Sequence, residues 1–140
     1  MAKLSSFRLN KIALEQGEWI SPGDEYDDLE IRTRGLTDQY RDALAAKLRR
    51  AATGFGGDQS KIPGAIFRRH VVDALREHVL LDVRNIEDDA GKPLAFADFC
   101  KLLADVEYSD LREACLRAAA MVGRVAQEDK VEAAGFSAPA

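Results

Sequence analysis

The sequence predicts a mainly α domain with a small N-terminal β-hairpin, an α+β fold in which four helices make one compact unit. Two observations carry this. Several stretches repeat apolar residues every three or four positions, and one stretch near the N-terminus alternates strictly between apolar and polar. Gly/Pro clusters separate them. The 140 residues are enough for one domain with tails. Residues 1–11 are expected to be a flexible N-terminus, 12–127 the domain, and 128–140 a disordered C-terminal tail.

The β element comes first. Trp19-Ile20 is followed by the turn cluster Ser21-Pro22-Gly23-Asp24, and then by Leu29-Glu30-Ile31-Arg32-Thr33-Arg34. Leu29, Ile31 and Thr33 share one face and the charged residues the other, which is the period of a half-buried strand. Trp19-Ile20 is its expected antiparallel neighbour. A lone two-stranded hairpin is marginal in water, so its apolar face needs a cover.

Four helices are expected to supply it. Thr37 is a good N-cap for a helix with Tyr40, Leu44 and Leu48 at every fourth position and Ala43 and Ala51 beside them. That helix ends at the glycine-rich loop Thr53-Gly54-Phe55-Gly56-Gly57-Asp58, read as a mobile connector. Pro63 suits the first turn of the second helix, whose apolar stripe is Ile66, Phe67, Val71, Ala74, Leu75, Val79 and Leu80. Residues 81–86 look extended, and an acidic turn with Gly91 and Pro93 follows. Leu94, Phe96, Phe99, Leu102 and Leu103 mark a third, shorter helix. Ser109 or Asp110 caps the last, with Leu111, Cys115, Ala118, Val122 and Val125 as its apolar set.

Composition narrows the function classes. Twenty Lys and Arg stand against 24 Asp and Glu, a net charge of −4, whereas a dedicated nucleic-acid-binding domain carries a basic excess. Apolar runs fall short of the ~20 residues of a membrane span. Met1 to Asn10 lacks the apolar stretch of a signal peptide. Cys100 and Cys115 form no CxxC and have no His pair at finger spacing, so reduced, partly buried thiols are expected rather than a zinc site, with a disulfide as the alternative.

Three constellations bear on chemistry. His70, Asp73 and Glu77 lie on one helix face, and one His with two carboxylates is a set that can hold a divalent metal. The alternative is a solvated face, with His78 at the core edge. The run Gly54-Phe55-Gly56-Gly57-Asp58-Gln59-Ser60-Lys61 has glycines, a hydroxyl and a lysine, but not in P-loop order, and Ile62-Pro63 follows the lysine. Lys47, Arg49, Arg50, Lys61, Arg68 and Arg69 form a basic cluster, read mainly as solvated helix ends. No GxSxG occurs, and no Cys stands at a family spacing from a His. The sequence therefore reads as that of a non-enzyme, with no catalytic residue, metal or cofactor expected.

The order of elements resembles a known family. Its pieces are Gly17-Glu18-Trp19-Ile20, the alternating Leu29 to Arg34 strand and the Tyr40-led helix. Leu80-Leu81-Asp82-Val83-Arg84-Asn85-Ile86 follows, then Gly91-Lys92-Pro93-Leu94, Phe99-Cys100-Lys101-Leu102-Leu103 and an alanine-rich last helix. Across about residues 12–125 this resembles the tail assembly chaperones of long-tailed (siphovirus-like) bacteriophages, prophages and related tail-like gene clusters. Where that family tends to carry Trp after Leu-x-Asp, this chain has Val83. The resemblance implies a non-enzymatic chaperone in the host bacterial cytoplasm, absent from the mature virion. It would bind the tape measure protein before the tail tube polymerises, with the tail tube protein as a further partner and homo-oligomers allowed. No nucleic acid or membrane is implied. Candidate contact residues are Phe55, Phe67, Arg68 and Arg69, with Phe67 also readable as core. The competing expectation is an inhibitor or regulator encoded by a mobile element, such as an anti-defence protein binding a host protein.

Overall fold

In the computed structural model the alternating segment is the central strand of a three-stranded antiparallel sheet. The structure describes residues 1–124. Val125 and the expected tail at 128–140 lie outside the described residues. The order of elements is α1 (Lys11–Gln16), β1 (Glu18–Ile20), β2 (Glu30–Thr33), α2 (Asp38–Ala52), α3 (Gly64–His78), β3 (Leu80–Arg84), α4 (Phe96–Leu102) and α5 (Ser109–Met121). The α+β class stands.

Two expectations about the elements are corrected. There are five α-helices among the described residues rather than four, and the sheet has a third strand from the middle of the chain. The additional helix, α1, has six residues, too few to show a repeat. Its ends are built locally instead. The Asn10 Oδ1 accepts from the Ala13 N–H at 3.2 Å, and Gly17 closes the helix at φ +85°. A Cβ on Gly17 would lie 2.6 Å from the Leu81 Cδ1, so glycine is needed for both backbone and space.

β1 and β2 pair antiparallel as expected, with Ile20 opposite Ile31. β3 pairs with the other edge of β2, placing Val83 opposite Ile31, and the register shifts between Arg32 and Thr33. Leu29, Ile31 and Thr33 are all buried. The Thr33 hydroxyl donates to the Arg34 carbonyl at 2.8 Å, so this core polar group is satisfied. On the outer face the Arg84 guanidinium sits 4.0 Å over the Trp19 ring and pairs with Glu30 at 3.0 Å.

α5 packs on β1 and β2, α3 and α4 pack on β3, and α2 packs chiefly on α3. Phe99, Leu103, Leu75, Val79, Ile31 and Val122 fill the shared core. Both cysteines are free and buried there. Burial, and then the neighbouring Cys100, push the Cys115 thiol up to about 12. No helix among the described residues is long and apolar enough to cross a membrane.

Candidate functional site

In α3 the observed burial departs from the apolar stripe read in the sequence. Val72, Ala74 and Leu75 in its second half are buried, and Val79, just past its end, is fully enclosed. Its first half is different. Ile66 is 39% exposed and Phe67 44%, although both belong to the stripe read from the sequence. The reading of Phe67 as core is thus corrected: the stripe is continuous, but its coverage by other elements is not. Pro63 precedes the helix without a capping side chain, and its carbonyl accepts from the Ile66 and Phe67 N–H groups at 3.0 Å.

Basic residues bracket this turn. Lys61 is exposed on one side and Arg69 on the other. Arg68 is half-buried. Its Nε is shielded from solvent with no hydrogen-bond partner, and its Nη1 reaches back to 3.5 Å from the position a Cβ on Gly64 would take.

Phe55 is half-buried in a short 3-10 turn, Thr53–Phe55, after α2. The glycine-rich loop read as a mobile connector is a pair of hydrogen-bonded turns. The Gly57 N–H donates to the Ala52 carbonyl at 2.8 Å, and the Lys61 N–H to the Asp58 carbonyl at 3.2 Å. The Asp58 carboxylate accepts from the Ser60 hydroxyl at 2.6 Å and its N–H at 3.0 Å, and these bonds hold its pKa below the usual range.

His70, Asp73 and Glu77 do not converge: among the described residues no group of three His, Cys, Asp or Glu side chains could hold a metal. Glu77 instead bonds the Lys47 Nζ from α2 at 3.1 Å, which takes Lys47 out of the basic cluster. His78 is half-buried, its Nε2 3.7 Å from the Glu77 Oε2. Arg49 and Arg50 stay exposed in the last turn of α2.

One feature was not visible in the sequence. An open cleft of ≈ 730 Å³ forms where the β1–β2 connection meets the end of β3. Asp27, Asp28 and Glu87 line it beside Leu29, Ile86 and Leu111. The Asn85 Nδ2 donates to the Asp28 carbonyl at 3.0 Å, joining the two turns. Among the described residues, Asp27 and Asn85 are the non-glycine residues at positive φ, 56° and 62°. The only local signal was that both are Asx residues in turns, which tolerate this backbone.

No protein-family model, curated protein or solved structure matches this chain.

Proposed function

We propose that this chain is a non-enzymatic, protein-binding chaperone of phage tail assembly whose client is the tape measure protein. The exposed apolar first turn of α3 carries the reading. Ile66 and Phe67 stand in solvent on a helix whose other half is anchored in the core. Apolar surface held out rigidly in this way is suited to covering an apolar seam on another chain. The resemblance in element order and turn residues supplies the client. A long helical tape measure protein has such seams before the tail tube encloses it.

Co-expression with the tape measure protein tests this. A complex that keeps an otherwise insoluble client in solution is the expected result. A client that is soluble alone and forms no complex overturns it.

A second reading, an inhibitor binding a host protein, is favoured by the three acidic residues, Asp27, Asp28 and Glu87, that line the cleft beside β3. It requires capture of a basic host partner that is lost in Asp27→Asn/Asp28→Asn.

A further inference from the structure

We propose that the first turn of α3 is a docking face for an acidic amphipathic helix. This rests on the chaperone reading only for the client's identity, and it adds the chemistry of the segment that the client must present.

Residues 63–67 are consecutive, exposed and apolar. Lys61 stands before them, Arg68 and Arg69 after, and none of these three cations makes an ion pair among the described residues. The nearby carboxylates stand apart from them: Asp58, which keeps its charge while bonded to Ser60, and Asp73, one turn beyond Arg69, are both outside ion-pair distance. α3 starts without a side-chain cap among the described residues, and the Arg68 Nη1 reaches back toward Gly64. A carboxylate complements the cations and the helix start together, being attracted to the first and favoured at the second. The apolar side chains call for an apolar counterpart. Both demands are met by a helix with apolar residues at every third or fourth place and Glu or Asp along the edges.

An anionic membrane is the weaker match. Ala74 and Leu75 are fully buried, so α3 cannot lie flat in an interface, and two large side chains give little area to insert. A single-stranded nucleic acid wants a row of stacking aromatics, and this turn has one.

The test is a titration of the isotope-labelled full chain, followed by NMR, with two synthetic helical peptides. Both carry the same leucine stripe; one has Glu edges and the other Lys edges. The Glu peptide is expected to bind and to shift amide signals at residues 61–69. Phe67→Ala should weaken it by about tenfold. Arg68→Glu/Arg69→Glu should reverse the preference toward the Lys peptide. Melting curves confirm that each variant is folded, and Lys61→Glu serves if the double variant is not. Equal binding of both peptides, no binding, shifts that map to the Asp27 cleft, or binding only to phosphatidylglycerol vesicles overturns the proposal.

Co-expression separates the two claims. A tape measure protein kept soluble by wild type and equally by Arg68→Glu/Arg69→Glu overturns the docking face and leaves the chaperone reading standing. A client that wild type does not hold overturns the chaperone reading, and the peptide titration still decides the face.

Discussion

The two halves of α3 have similar apolar content and opposite environments. In the second half Val72, Ala74 and Leu75 are enclosed; in the first, Ile66 and Phe67 face water. A helix needs only part of its stripe to be anchored, and here the remainder is held rigidly in place by the anchored part. Stability should therefore reside in one half and recognition in the other.

The largest expected effect is on the buried half. Leu75→Ala should cost about 2–5 kcal/mol by transfer and cavity terms, measured by chemical denaturation. Phe67→Ala, at a residue 44% exposed, should cost about 1 kcal/mol in the same assay. Equal costs for the two would break the comparison.

The glycines sharpen it. Gly17→Ala forces a positive φ on alanine and drives a Cβ into Leu81, so a loss above about 1 kcal/mol is expected. Gly64→Ala, at the open start of α3, meets only the Arg68 Nη1 at ordinary contact distance, and should be neutral or slightly stabilising.

The core should also show in the pH dependence. Burial, and then the neighbouring Cys100, hold the folded Cys115 thiol up at about 12, above its ordinary value. A raised pKa contributes stability that is complete below the unfolded value and is lost as pH rises, because only the unfolded chain then releases the proton. Denaturation midpoints should fall between pH 9 and 11, and the Cys115→Ala variant should show a flatter profile. Native-state alkylation of Cys115 should be slow and become fast in denaturant.

The smallest effect belongs to the Lys47–Glu77 pair that ties α2 to the end of α3. Glu77 keeps half its side chain in solvent, so Lys47→Met should change stability by less than about 1 kcal/mol, and less still at high salt. A larger loss would place part of the anchoring on this bond.

Much of the fold was legible. Leu29, Ile31 and Thr33 are buried as their alternation predicts, and the helices led by Tyr40, Phe99 and Leu111 lie where their spacing put them. α1 was missed because six residues are shorter than two turns, although its local caps, Asn10 and Gly17, stand in the sequence. β3 read as extended, but its partner, β2, is some fifty residues away, and nothing local states a pairing across that distance. The candidate site was half legible. Arg68 and Arg69 were singled out from the sequence, yet Phe67 fits a core stripe as well as a contact. His70, Asp73 and Glu77 share a helix face, which the sequence read as a solvated one, and a shared face does not by itself make side chains converge on a metal.

The amino-acid sequence by itself determined the class of the fold, the approximate positions of four of the five described helices, and which faces are apolar. Those follow from backbone preferences and from periods of two and 3.6, which act within a few residues. Tertiary structure alone decided that the sheet has three strands, that Lys47 spends its charge on Glu77, that a cleft opens between Asp27 and Glu87, and that the stripe of α3 is covered at Leu75 and open at Phe67. Each of these depends on segments distant in sequence occupying, or leaving empty, the same volume, and periodicity carries no information about that.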